Sequence, residues 1–302
     1  MKSIIERLLI LSLFLILPLN TAIAQETLVQ DYSQLMDIPD ITAMEASPTH
    51  LYILSAEEGM AVFRTYQDSL QWLYTSNGMQ RRGNNIMADI RFAYLSGDSK
   101  RLTVLEPTSA LGVYSSTILP LRPKSTARLR NNLYFAMEDK GIGKVSLDSP
   151  ESVDSEPIQV ASNELNGASV IDLRSTELNN QLLVLTNTPS LMIFSQDEES
   201  LNLDRNIALD TQLSDLFIDE EEIWGSSNTG EIFTINADGI GSRIGVTGEK
   251  NEKILTWKGR IFVRTRSGQV WMKTHNGPLD LWKNDSSAGN YIAKSGETLW
   301  IA

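Results

Sequence analysis

The sequence predicts an all-β chain: a β-propeller of about seven four-stranded blades, the last incomplete, behind a signal peptide. Three observations predict it. A strand–turn–strand pattern recurs seven times along 302 residues at a spacing near forty. Glycines stand at matching turn positions in several of these units. No stretch after residue 24 shows the apolar period of a helix.

Residues 1–24 read as the export signal. Lys2 and Arg7 give a positive start, Leu8–Leu19 is almost wholly apolar, and Ala22-Ile23-Ala24 supplies the small-x-small cleavage pattern, leaving Gln25 as the mature N-terminus. The apolar run falls short of the roughly 20 residues that span a bilayer. No direct membrane insertion is therefore expected after cleavage, and no later stretch is long and apolar enough to span. The expected location is the periplasm, the outer cell surface or the medium. Residues 25–40 form an N-terminal segment and residues 41–302 the propeller.

The repeat is anchored on short β-prone runs. These begin at Leu51, Phe92, Leu133, Leu182, Ile223, Ile261 and Leu299, so successive starts lie 41, 41, 49, 41, 38 and 38 residues apart. Gly59, Gly141, Gly230 and Gly268 follow their anchors by seven or eight residues, where a hairpin turn needs positive φ. A second strand follows each turn: Met60–Phe63, Arg101–Val104, Ile142–Leu147, Leu191–Phe194, Glu231–Ile235 and Gln269–Met272. Apolar runs such as Val170–Leu173 and Ile254–Trp257 precede the anchors, and Leu70–Tyr74 and Leu279–Trp282 supply fourth strands. Alternation is imperfect, as expected where both faces of a strand pack between neighbours. The units run over residues 41–83, 84–123, 124–168, 169–211, 212–250 and 251–289, with a seventh opening at 290. The long third unit places its extra residues in Ser149–Glu156 and Ser162–Gly167, both polar and turn-rich.

Ala302 falls inside a strand of the seventh unit, and a propeller with an open edge exposes unpaired backbone. Either Thr27–Asp37 completes the last blade, or the chain continues beyond residue 302. The second reading is preferred, because one N-terminal strand cannot replace two.

The run Asn132–Ala136 through Gly141–Val145 resembles the LVIVD-type repeats of bacterial surface propellers, as does His50–Phe63. Glu222–Gly230, Arg260–Val270 and Gly296–Ala302 resemble two-component-regulator and PQQ-like propeller repeats. The likeness covers most of residues 41–302 and implies binding, sensing or scaffold roles outside the cytoplasm. The chain departs from each pattern. The tryptophan that closes PQQ-like repeats is missing from most units, and no WD dipeptide or kelch double glycine occurs. A quinone is not supported, and no cofactor is expected.

Composition narrows the chemistry further. Without cysteine there is no disulfide, thiol catalysis or Cys-ligated metal. The formal charge is −12; the signal carries Lys2 and Arg7 against Glu6, net +1, which leaves −13 on the mature chain. Such acidity argues against nucleic acid as a partner. From Lys250 onward nine Lys or Arg face four Asp or Glu, so the acidity lies earlier.

Candidate sites are few. The two histidines, His50 and His275, fall in different units, which argues against joint metal ligation. No G-x-S-x-G elbow occurs. Asp197–Glu199 and Asp219–Glu222 are contiguous acids without the alternating ligand spacing of a calcium loop, and read as solvated turns. Gly239-Ile240-Gly241 lacks the third glycine of a phosphate loop and reads as a turn. Arg128 and Arg130 lie on or beside the innermost strand of the third unit, facing the channel, where an anionic ligand would meet them. The six tryptophans lie in strands and read as packing between blades, with carbohydrate stacking the alternative. No catalytic residue, metal ligand or cofactor contact is singled out. The expected function is a non-enzymatic, exported scaffold binding a protein or an extracellular polymer. A periplasmic sensor and a polysaccharide hydrolase or lyase are the alternatives.

Overall fold

The computed structural model describes residues 38–302 except 67–68, 80–82, 98, 109–112, 138–139, 149–157, 177–178, 198–199, 220–221, 237–238, 275–276, 284–290 and 297. The expected signal peptide and the segment up to Asp37 lie outside the described residues.

Among the described residues the chain is a β-propeller with six four-stranded, fully antiparallel blades. Blade one is β1 (Ile41–Ala46), β2 (His50–Ser55), β3 (Gly59–Tyr66) and β4 (Ser69–Ser76). Blade two is β5 (Asn85–Ala88), β6 (Ala93–Ser96), β7 (Arg101–Leu105) and β8 (Val113–Ile118). Blade three is β9 (Thr126–Leu129), β10 (Asn132–Ala136), β11 (Ile142–Ser146) and β12 (Ile158–Val160). Blade four is β13 (Val170–Thr176), β14 (Gln181–Thr186), β15 (Ser190–Gln196) and β16 (Leu201–Ala208). Blade five is β17 (Asp215–Asp219), β18 (Glu222–Ser226), β19 (Glu231–Asn236) and β20 (Gly239–Val246). Blade six is β21 (Asn251–Trp257), β22 (Arg260–Thr265), β23 (Val270–Lys273) and β24 (Leu279–Lys283). A two-stranded sheet follows, β25 (Ile292–Ser295) and β26 (Thr298–Ile301), with β25 lying between β21 and β1.

Each anchor run of the sequence is the second strand of its sheet. In blades one to four that strand is buried along nearly its whole length. A strand covered on both faces reads as a continuous apolar run, which is why the anchors of blades one to four stand out. The cores lie between blades. Tyr52, Leu54 and Val62 of blade one pack on Ile86, Leu95 and Leu105 of blade two. Tyr94 and Val104 pack on Leu133, Phe135 and Val145; Tyr134 and Ile142 pack on Leu182, Val184 and Phe194. Phe217, Trp224 and Val263 join blades five and six. Fully burying one such side chain contributes about 1.5–3 kcal/mol, so stacking supplies what a single blade cannot.

Glycine is required at two kinds of place. Gly230 turns at φ 83°, and a Cβ there would strike the Glu249 carbonyl and the Thr247 hydroxyl. Gly143 lies opposite Phe135 in the β10–β11 ladder, and a Cβ there would occupy the space of the phenyl ring.

Two expectations are corrected. Part of the polar stretch in the third unit forms a short helix, α1 (Ser162–Leu165), because Leu165 has a buried seat against the blade three–four core. Gly239-Ile240-Gly241 opens strand β20 rather than forming a turn, since its backbone pairs with β19.

Candidate functional site

The inner strands surround a channel of about 470 Å³. Its lining draws on β1, β5, β9, β13, β17, β21 and β25. Among the described residues, five charged ones line it: Glu45, Arg174, Glu252, Lys253 and Arg264. Each is paired. Lys253 Nζ of blade six lies 2.6 Å from Glu45 Oε2 of blade one. Arg264 bonds Glu252 and stacks 3.8 Å above the Tyr291 ring. Arg174 lies 3.2 Å from Asp172 Oδ2, and its Nε donates to the Leu216 carbonyl at 2.9 Å.

Asp172 is the most deeply placed of these acids. Its Oδ2 accepts the backbone N–H of Leu216 at 2.8 Å, and its Oδ1 that of Leu173. One carboxylate thereby ties blade four to blade five. Burial pushes the carboxyl above its ordinary range; Arg174 and the Leu216 N–H pull the other way.

Asp219 plays the same part further round. Its Oδ2 accepts the backbone N–H and the hydroxyl of Thr256, both at 2.6 Å, and Lys294 Nζ at 2.8 Å. It joins blade five to blade six and to β25 at once. Lys250, just before β21, lies 3.0 Å from Asp215 of β17.

The predicted channel arginines are otherwise engaged. Arg128 is on inner strand β9, but its guanidinium bonds Asp89 of blade two and lies 5.8 Å over the Tyr94 ring. Its Nε donates to the carbonyl of Arg130 at 3.1 Å. Arg130 is exposed in the β9–β10 turn at φ 50°. Neither is among the residues lining the channel. His50 is buried at the start of β2, while His275 lies outside the described residues. Among the described residues no group of three or more acids and histidines is arranged to hold a metal.

The hub formed by the channel ion pairs and the Asp172 and Asp219 bonds left almost no trace in the sequence. Asp219 was expected as part of a solvated run but bonds inward; of that run, residues 220–221 lie outside the described residues and Glu222 is exposed. The one available signal was a lone acid within an apolar inner strand, as in Val170-Ile171-Asp172-Leu173.

The tryptophans divide. Trp224, Trp257, Trp271 and Trp282 pack into the clusters between blades. Trp72 is 60% exposed on outer strand β4. Tyr66, Ile90, Tyr114 and Ile118 are also well exposed, so among the described residues the five most exposed large apolar side chains all belong to blades one and two. Among the described residues, no helix is long and apolar enough to cross a membrane.

Neither a protein-family model nor a curated protein matches the sequence. Solved structures match its fold. The β-propeller domain of Cps50 (Swd1) from Myceliophteria thermophila is similar at TM-score 0.65 and 10% identity, over 86% of this chain and 91% of that one. The WD40 propeller domain of Doa1 is similar at TM-score 0.59 and 15% identity, over 87% and 92%. PorZ, described as a bacterial surface component of the type-IX secretion system of Porphyromonas gingivalis, matches at TM-score 0.54 and 13% identity, over 89% of this chain but 36% of PorZ. At these identities the likeness is one of fold.

Proposed function

We propose that this chain is an exported, non-catalytic propeller that binds a protein or an extended polymer, and that β25–β26 begins a seventh blade. The observation that carries the binding reading is the concentration of exposed apolar side chains on blades one and two, with Trp72 and Ile90 at 60% and 66% exposure. Large apolar side chains left exposed in such density are surface a partner can cover. The ion pairs around the channel support a structural role for it, since among the described residues the five charges lining it are all spent on such pairs. Export rests on Lys2, Arg7, the run Leu8–Leu19 and Ala22-Ile23-Ala24.

The test has two arms. Mass spectrometry of the protein expressed in a bacterial host reads the mature N-terminus, expected at Gln25. Interferometry against fractionated envelope proteins and polysaccharides then compares the parent with a Tyr66→Ala/Trp72→Ala variant. A weakening of about tenfold or more, at unchanged melting temperature, supports the reading. Binding untouched by these substitutions, or release of reducing ends from a polysaccharide fraction, refutes it.

A further inference from the structure

The turn between β1 and β2 carries a buried histidine at the place where the last sheet meets the first blade. His50 is 6% exposed, and its Nδ1 lies 2.9 Å from the Thr49 hydroxyl. Its Nε2 is buried and has no hydrogen-bond partner. These surroundings suit the neutral ring with the proton on Nδ1, donated to Thr49, and a bare lone pair on Nε2. The turn is tight. Ser47 N–H donates to the His50 carbonyl at 2.8 Å, and His50 N–H donates to Ser47 Oγ at 3.0 Å. The Ser47 carbonyl in turn accepts the hydroxyl of Ser295, a buried bond of 2.8 Å across 248 residues.

The groups around His50 offer little to a second proton. Arg64 lies directly opposite on β3. Tyr52 is 6.2 Å away between ring centres, and its hydroxyl is buried. Tyr74 of β4 is the other tyrosine whose charge bears on Tyr52. Glu45 of β1 pairs beside Tyr52 in the ladder but is bonded to Lys253, and Lys294 of β25 is bonded to Asp219. A proton added at Nε2 therefore brings a charge beside Arg64 and a buried N–H without an acceptor.

We propose that the Ser47–His50 turn is a proton-operated latch for β25–β26. Neutral His50 keeps the Ser47 carbonyl in place for Ser295; protonated His50 opens the turn and releases the sheet. Burial, with Arg64 adding to it, holds the ring below its ordinary value of 6.5. A histidine lowered in the folded state binds its proton more readily when the turn is open. The latch is thus fully closed above 6.5 and weakens as the pH falls below it.

Amide hydrogen exchange of the intact protein between pH 7.5 and 5.0, corrected for intrinsic rates, tests this. Opening of residues 291–302 should rise by up to about tenfold per pH unit below 6.5, while strands of blades three to five stay unchanged. His50→Gln, which cannot gain the charge, should abolish the pH response, and His275→Gln should retain it. Should His50→Gln fail to fold, Ser295→Ala serves instead, with residues 291–302 as open at pH 7.5 as the parent's at pH 5.0. Constant protection of 291–302 across the range overturns the proposal. So does a pH response that survives His50→Gln or vanishes in His275→Gln, or full protection at pH 7.5 in Ser295→Ala.

Discussion

Phe135 and Gly143 make the packing between blades two and three testable as a pair. Phe135 is 1% exposed, and its ring fills the space a Cβ on Gly143 would need. Phe135→Ala should cost about 3–5 kcal/mol, the transfer of a phenyl group plus the cavity left behind. Gly143→Ala should cost about 1–3 kcal/mol, because the new methyl meets a ring held in a close-packed core. Simple addition gives about 4–8 kcal/mol, the sum of those two ranges. The double variant should lose less than that, by at least about 1 kcal/mol, since the new methyl then enters the space the ring vacated. Urea unfolding at constant slope, followed by tryptophan fluorescence, supplies the four values of the cycle. Additivity within about 0.5 kcal/mol would mean that the two residues do not share one space, and the register of β10 with β11 would then be wrong.

Other substitutions probe the hub and the turns. Asp219→Ala removes the acceptor of two Thr256 bonds and of Lys294, and should cost about 2–4 kcal/mol in urea unfolding. Lys294→Met removes one partner and should cost about 1 kcal/mol or less. Gly230→Ala combines positive φ with a clash and should cost about 1–3 kcal/mol, read as a fall in melting temperature. Asp172, raised in the folded state, binds its proton more tightly there than in the unfolded chain. Its contribution is greatest below the ordinary carboxylate range and is lost as pH rises through the raised value. Asp172→Asn should therefore flatten stability against pH on the acid side of neutrality, and an unchanged profile would count against a buried, ionisable Asp172.

The sequence made the second strands legible and left the hub hidden, for one physical reason. Runs such as Leu182–Thr186 are covered on both faces, so their apolar character is continuous and unmistakable. Outer strands such as β16, with five consecutive exposed residues, carry no such pattern. Hub residues sit on short strands where a charge reads the same whether it faces water or a partner. Glu45 and Lys253 are 208 residues apart, and nothing local in the chain pairs them. Arg128 shows the converse: its strand was rightly placed, but the Asp89 that captures it comes from another blade. In β26, Leu299, Trp300 and Ile301 are half-buried, whereas Leu51, Tyr52 and Ile53 of β2 are almost fully covered. Among the described residues two strands lie outside β2 and none outside β26, and no anchor run reveals that difference.

The bond from Ser295 to Ser47 also bears on the order of folding. Contacts within a blade join residues a few tens of positions apart, so blades can form and stack along the chain as it emerges. The Ser295 and Lys253 bonds to blade one span 248 and 208 residues and must wait for everything between them. The seam they form should be the last region to gain protection during refolding and the slow step of assembly.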